Sequence, residues 1–364
     1  MSLIKKIIFI ILAWIISISI LLVATEFCLR IIFNDGPWSE VEKINVLRNF
    51  EYKYRLNGLY PAGQQWVRYK RNAYGLRDDC GDPNNIDILT VGGSTTDQRY
   101  VLDESTYQFV LAGLLSQVTG KKICVTNAGV DGHSTYGHLE AFKNWFPLIP
   151  GMHPKYALLY VGLNDANFDR PNNFNPGFDA NDQSSIKSFL KGQRIVRLLM
   201  PLYNYIKDGA ANEGPAYAGH NPRKFIDSDY SVTLLNSETL KKSKVNAEIF
   251  GERLTLILGE ISKMNAEPIC VTQHYLYSIN KDGINYGIPS VIGKDYSGLN
   301  YDYSLREIND LIYKLCGERV VDLYPLYHDP KYFYDGVHTT DKGSEFIGKN
   351  IFEITKKKGL LNNL

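Results

Sequence analysis

The chain has 364 residues, and its 40 Lys and Arg residues nearly balance its 39 Asp and Glu residues, for a formal net charge of +1. Hydrophobic residues make up 44% and charged residues 22%, which is typical of a globular protein and excludes a disordered, collagenous or many-span membrane protein. The balanced charge leaves no basic footprint, so we expect no nucleic acid partner. The length allows one large domain with additions, or two domains.

The N-terminal segment is long and apolar. Residues 7–24 form an uncharged run, close to the roughly 20 residues that a membrane-spanning helix needs. We therefore predict a membrane anchor over residues 1–30, in contact with the lipid bilayer. A cleaved signal peptide and a buried core helix are the alternatives, but the apolar region of a signal peptide is usually only about 7–15 residues long.

The orientation of this segment is predicted from its flanking cations. Lys5 and Lys6 precede the apolar run, whereas Arg30 and Lys43 follow it. The cytoplasmic flank of a membrane helix is usually richer in Lys and Arg. Here the two flanks differ little in their number of Lys and Arg residues. We favour a cytoplasmic N-terminus, with the rest of the chain outside the cytoplasm, in a periplasmic or extracellular location.

The remainder of the chain divides into a lead-in and a domain. Residues 31–85 contain Pro and Gly and no long helical period, so we predict a juxtamembrane stalk and lead-in there. From residue 86 to 358, apolar runs alternate with amphipathic segments, which predicts a parallel sheet covered by helices. The predicted strands are Ile86–Val91, Ile123–Thr126, Tyr156–Val161, Pro268–Thr272 and Val320–Leu323. The predicted helices are Thr106–Val118, His138–Leu148, Glu238–Met264, Tyr303–Leu315 and Lys342–Lys356.

Two long connections are predicted as insertions in this domain, near residues 167–235 and 275–300. Both follow the carboxyl ends of predicted strands, where the ligand crevice of an α/β sheet lies. We expect them to shape substrate entry, with surface decoration as the alternative.

Cysteine and histidine residues give weaker signals. The five cysteines have no spacing typical of a zinc site, so we predict no metal. Cys124 and Cys270 lie in apolar runs, where a free buried thiol is expected. We expect His133 and His138 at the surface or at a helix start, and His274 in a hydrogen bond at the sheet edge.

Four polar blocks stand out along the domain. Ser94 follows a strand and two glycines, Gly129 and Asn164 follow the next two strands, and Asp335 and His338 precede the last helix. Each block alone is equally compatible with a turn or a helix cap. Their order along the chain is the informative feature.

Taken together, the four blocks resemble those of the SGNH hydrolases, also called GDSL-type esterases. The resemblance covers about residues 85–355, with Gly93 where the family usually has Asp. It implies a three-layer α/β/α, flavodoxin-like fold with a five-stranded parallel sheet. The variant block is similar to those of membrane-anchored members that act on cell-envelope glycans.

The resemblance also implies roles for the four blocks. Ser94 would be the nucleophile, His338 its general base, and Asp335 the acid that orients the imidazole. The backbone N–H groups of Ser94 and Gly129 and the side-chain amide of Asn164 would form an oxyanion hole. Neither a metal nor an organic cofactor is implied.

The implied activity is that of a serine esterase. It would remove acyl groups, O-acetyl groups above all, from a sugar or cell-envelope polysaccharide through an acyl-enzyme. The implied partner is an acylated glycan or another ester substrate. An O-acyltransferase that uses the same acyl-enzyme and a non-catalytic polysaccharide assembly protein remain as alternatives.

Overall fold

The computed structural model describes residues 3–32, 36–56, 59, 66–77, 80–167, 195–196, 199, 213–215, 220, 223, 225–233, 235, 237–291, 296–324 and 329–364. The chain divides into two compact units, one made of residues 1–39 and 180–212 and the other of residues 40–179 and 213–364. Most of the predicted insertion at 167–235 lies outside the described residues.

Secondary structure within the described ranges is as follows. The helices are α1 (Leu3–Ile32), α2 (Trp38–Lys43), α3 (Ser94–Asp97), α4 (Tyr107–Thr119), α5 (Thr135–Glu140), α6 (Ser237–Lys263), α7 (Gly298–Cys316) and α8 (Asp341–Lys358). The strands are β1 (Phe50–Arg55), β2 (Trp66–Arg71), β3 (Ile88–Gly92), β4 (Val125–Asn127), β5 (Tyr156–Tyr160), β6 (Glu213–Pro215), β7 (Glu267–Val271), β8 (Ser278–Lys281), β9 (Ile284–Gly287) and β10 (Val320–Val321).

The first unit contains α1. Residues Lys5–Ile32 of this helix are long and apolar enough to cross a membrane. A signal sequence near an N-terminus would have the same appearance. Near the end of the helix, Glu26 and Arg30 form an ion pair one turn apart, at 2.8 Å.

The second unit is built on a parallel sheet with the order β10-β7-β5-β3-β4. This order is flavodoxin-like, and every residue of β3 and β5 is buried. On one face, Leu111 of α4 and Ile351 of α8 pack against the sheet. On the other, Phe250 of α6 and Ile308 of α7 lie against Gly162, just beyond β5. The predicted three-layer α/β/α fold is confirmed.

The lead-in is more structured than predicted. The described residues of the lead-in from 40 to 85 belong to the second unit, and β1 and β2 form an antiparallel hairpin that β6 extends. Aromatic and charged residues alternate along β1, and its aromatic side chains are half-buried while its charged ones are exposed. A stalk prediction overlooked this two-residue period because the segment is too polar to resemble a core strand. The second predicted insertion, at 275–300, contains the β8–β9 hairpin.

Disulfide bonds are a second departure from expectation. Cys80 is bonded to Cys124, and Cys270 to Cys316, each pair more than 40 residues apart along the chain. The prediction of free thiols at Cys124 and Cys270 is therefore wrong, because residues distant in sequence meet at the sheet. Cys28, in α1, is a free thiol.

Candidate active site

Ser94 lies where strand β3, between β5 and β4 in the sheet, ends. The strand stops at Gly92, and Gly93 leads directly into the short helix α3, whose first residue is Ser94. Ser94 is half-buried, whereas Thr95 and Thr96 behind it are buried. The hydroxyl therefore stands at the carboxyl edge of the sheet, where α/β proteins form their ligand crevices.

Two further side chains reach Ser94 from the other end of the chain. His338 Nε2 lies 2.7 Å from Ser94 Oγ, and His338 Nδ1 lies 2.7 Å from Asp335 Oδ2. The side chain of His338 is 13% exposed and that of Asp335 only 4%. The geometry fits a hydroxyl that donates to a neutral imidazole, which in turn donates to a carboxylate.

The loop that carries this pair is held by local contacts. Asp335 Oδ1 accepts hydrogen bonds from the backbone N–H groups of Val337, at 2.9 Å, and His338, at 2.7 Å. A Cβ at Gly336 would overlap the ring of Tyr277, so only glycine fits there. The contact between Asp335 and His338, three residues apart, is thus fixed by a tight turn.

Asp335 is ionised in this setting. Burial alone would raise its pKa, but His338 and the hydrogen bonds from His338 and Val337 outweigh burial and hold the pKa of Asp335 below its ordinary value. A carboxylate facing Nδ1 keeps the proton on that nitrogen. His338 Nε2 is then the atom that can accept a proton from Ser94.

Asn164 follows β5 and lies beside the loop that carries Ser94. Its Nδ2 donates to the carbonyl oxygen of His133 at 2.9 Å. A Cβ at Gly93 would lie only 2.8 Å from the same Nδ2. The glycine at this position therefore lets the Asn164 amide approach the backbone next to Ser94.

Gly129 lies in the loop after β4. Its N–H donates to Asn127 Oδ1 at 2.9 Å, within its own loop. A Cβ at Gly129 would lie 2.6 Å from the carbonyl carbon of Thr96. Gly129 thus allows close packing of its loop against α3, and its amide hydrogen is already engaged.

A second histidine, which the sequence analysis missed, lies flat against His338. The rings of His220 and His338 are stacked with centroids 3.9 Å apart. His220 Nδ1 is 2.6 Å from the Tyr334 hydroxyl, and His220 Nε2 is 3.9 Å from Asp131 Oδ2. Burial, then the charge of His338, lowers the pKa of His220, and these effects outweigh its acidic neighbours. No motif surrounds His220 in the sequence.

An ion cluster lies behind α3. Asp97 is almost fully buried and pairs with Arg71 and, at 3.4 Å, with Arg99. Arg99 also pairs with Asp131 at 3.4 Å, and Tyr69 donates to Asp97 at 2.6 Å. These contacts connect α3 to the hairpin strand β2 and to the loop after β4.

Three other histidines are buried. His133 Nε2 lies 2.7 Å from the carbonyl oxygen of Ile44, and burial lowers the pKa of His133 to about 4. His138 is buried as well, and its pKa is lowered by burial and by His133. The surface alternative was therefore wrong for both, whereas the helix-start alternative is confirmed, since His133 directly precedes the N-cap Ser134 of α5 and His138 lies in this helix. His274 Nδ1 lies 2.6 Å from the Tyr160 hydroxyl, which confirms the expected hydrogen bond.

The donor atoms of His220, Asp335 and His338 lie within 4.8 Å of one another and could share a cation. Both ring nitrogens of His338 already make hydrogen bonds, to Asp335 and Ser94. A metal ion at this point would have to displace one of those partners.

Comparisons with known proteins show structural likeness at low identity. No family model and no curated protein matches the sequence. An acetyl xylan esterase structure is 14% identical, with a TM-score of 0.38, over 74% of this chain and 98% of its own. The Axe2 acetylxylan esterase of Geobacillus stearothermophilus is 12% identical, with a TM-score of 0.40. The match covers 73% of this chain and 92% of the esterase. A lipolytic protein of the G-D-S-L family from Desulfitobacterium hafniense is 12% identical, with a TM-score of 0.37. The match covers 73% of this chain and 98% of that protein. These values are too low to transfer a function.

Proposed function

We propose that this chain is a serine ester hydrolase of the SGNH type. Its substrate would be an acyl ester, above all an O-acetyl ester, on a sugar or cell-envelope polysaccharide. The observation that carries the proposal is the continuous contact from Ser94 Oγ through His338 to Asp335, at 2.7 Å for each step. These residues lie 244 positions apart at the extremes of the domain, and no packing requirement explains a serine, an imidazole and a buried carboxylate in this order.

Acylation begins with the Ser94 hydroxyl. As Oγ attacks the ester carbonyl carbon, His338 Nε2 takes its proton, and the Asp335 carboxylate stabilises the imidazolium that forms. The imidazolium then gives that proton to the leaving sugar oxygen. The acyl group stays on Ser94, and the sugar hydroxyl is released.

The negative charge on the carbonyl oxygen needs hydrogen-bond donors. The N–H of Ser94 is the first of α3, and the first N–H groups of a helix have no acceptor within it. The Asn164 amide lies against the same backbone. We assign these two groups to the oxyanion and assign Gly129 to the packing of the loop, because its N–H binds Asn127.

Deacylation repeats the sequence with water. His338, neutral again, takes a proton from a water molecule that attacks the acyl carbonyl, and returns it to Ser94 Oγ. If a sugar hydroxyl replaces water, the same steps give acyl transfer. The acceptor therefore distinguishes hydrolysis from transfer, and product analysis with an added acceptor sugar would reveal it.

We also propose that α1 anchors the protein in a membrane and that the second unit lies outside the cytoplasm. The disulfides at Cys80–Cys124 and Cys270–Cys316 support this location, since disulfides persist in oxidising compartments. Thiol titration of the denatured, unreduced protein tests it. One reactive thiol, from Cys28, supports an exported domain, whereas five reactive thiols contradict it.

Covalent labelling tests the nucleophile without knowledge of the natural substrate. A fluorophosphonate should label the wild-type chain at Ser94 and should not label Ser94→Ala. The matched control is Ser116→Ala, in α4, where the hydroxyl donates to the carbonyl of Ala112 and accepts from the N–H of Ile123, outside the candidate site. Hydrolysis of p-nitrophenyl acetate that survives in Ser94→Ala would overturn the proposal.

A further inference from the structure

Aromatic rings continue from the active site onto the hairpin strand β1. His220, stacked on His338, contacts Tyr100 with ring centroids 5.0 Å apart, and Tyr100 contacts Tyr54 at the same distance. Tyr54 is followed by Tyr52, 4.8 Å away. Tyr100 and His220 are buried, whereas Tyr52 and Tyr54 are half-buried. The partly accessible rings therefore lie at the outer end of a ring series that begins at the catalytic base.

Polar groups accompany these two tyrosines. Arg99 and Asp131 form an ion pair at 3.4 Å, and their side chains are 18% and 26% exposed. Both residues are electrostatic neighbours of Tyr54 and Tyr100. We call Tyr52, Tyr54, Arg99 and Asp131 the aromatic ledge.

The ledge carries little net charge. Arg99 and Arg71 are balanced by Asp97 and Asp131 in one connected set of ion pairs. Burial lowers the pKa of His220, and Asp335 adds a carboxylate next to His338. Among the described residues of this ion-pair set, an anionic ligand would meet no unbalanced cation and would face that carboxylate.

We propose that the aromatic ledge binds an uncharged glycan chain whose acylated unit lies at Ser94. This inference rests on the proposed esterase function and adds where the polymer lies and which charge it carries. Sugar rings present apolar C–H faces and polar hydroxyl edges. The ring faces of Tyr52 and Tyr54 suit the apolar C–H faces of a sugar. The partly exposed groups of Arg99 and Asp131 suit hydrogen bonds to its hydroxyl edges.

If the aromatic ledge binds the glycan, its substitution should lower kcat/KM for a polymeric substrate more than for a small ester. The full chain in detergent is assayed by acetate release from O-acetylated xylan, an uncharged polymer, and by hydrolysis of p-nitrophenyl acetate. Tyr52→Ala and Tyr54→Ala should each lower the ratio of kcat/KM for xylan to kcat/KM for the small ester about tenfold. Tyr52→Leu and Tyr54→Leu, which keep most of the buried volume, should lower the ratio similarly if the ring faces bind sugar.

A matched control lies on the same strand. Lys53 is exposed on the opposite face of β1, and Lys53→Ala should leave the ratio unchanged. If the ratio is unchanged in all four tyrosine variants, the aromatic ledge does not bind the glycan, and the esterase proposal is unaffected. If the wild type prefers O-acetylated pectin, an acidic polymer, over xylan, the proposal that the glycan is uncharged is wrong. Inactivity on every ester would overturn the proposed function itself.

Discussion

Two acid–histidine pairs meet at one site and differ in almost everything except composition. Asp335 and His338 are three residues apart and in direct contact at 2.7 Å. Asp131 and His220 come from distant segments, and Asp131 Oδ2 and His220 Nε2 are 3.9 Å apart. The first pair points a ring nitrogen at Ser94, whereas the second points one at the Tyr334 hydroxyl.

This contrast shows that the role of a histidine depends on what its outer nitrogen faces. His338 faces a hydroxyl at the open edge of the sheet and can relay a proton. His220 faces a buried phenol, and its ring covers one side of His338. We therefore expect large catalytic effects from the first pair and small ones from the second.

The largest effect should come from Asp335→Asn. An amide in this position no longer holds the proton on His338 Nδ1, so kcat for p-nitrophenyl acetate should fall by about 10⁴. The melting temperature should stay close to that of the wild type, because the backbone N–H groups of Val337 and His338 still find an acceptor. Asp131→Asn is the matched change in the second pair and should lower kcat by no more than about tenfold. Equal losses in the two variants would erase the distinction between the pairs.

Asn164→Ala should have the next largest effect. It leaves both acid–histidine pairs intact and removes a donor to the oxyanion, so kcat should fall about 10²–10³-fold. Steady-state kinetics with the small ester measure this loss, and fluorophosphonate labelling of Ser94 checks that the nucleophile is still activated. A wild-type kcat would remove Asn164 from the mechanism.

His133 extends the comparison to a histidine that faces a backbone carbonyl. Its pKa of about 4 lies below the ordinary value of 6.5, so between these values the unfolded chain binds a proton that the folded chain does not. The free energy of unfolding should therefore fall as the pH drops from 6.5 to 4, by up to about 3 kcal/mol from this residue. Urea denaturation at several pH values measures the fall. His133→Gln should flatten it, and an unchanged pH dependence would show that His133 is not a neutral buried group.

The smallest effect should come from His220. His220→Ala removes the ring stacked on His338 and should lower kcat about tenfold, while His220→Phe keeps a stacked ring and should restore most of it. Kinetics of the two variants with p-nitrophenyl acetate make the comparison. A loss in His220→Phe as large as in Asp335→Asn would indicate that His220 takes part in proton transfer.

The sequence predicted those parts of the site that depend on local patterns. Ser94 and Asn164 directly follow buried apolar strands, and the edge of a parallel sheet brings such positions together. Asp335 and His338 share a short turn, so their contact needs only a few residues of chain. The order of these blocks was enough to suggest a triad before any contact was known.

The tertiary structure alone decided the rest. His220 and the aromatic residues of β1 lie in segments without an apolar run, and only long-range packing brings them to the site. The pairing of Cys80 with Cys124 and of Cys270 with Cys316 also depends on how separate segments meet. Periodicity shows which face of a local element is buried, but not which distant residue covers it. For this reason the sequence indicated the residues of the candidate site, Ser94, Asp335 and His338, but not their surroundings.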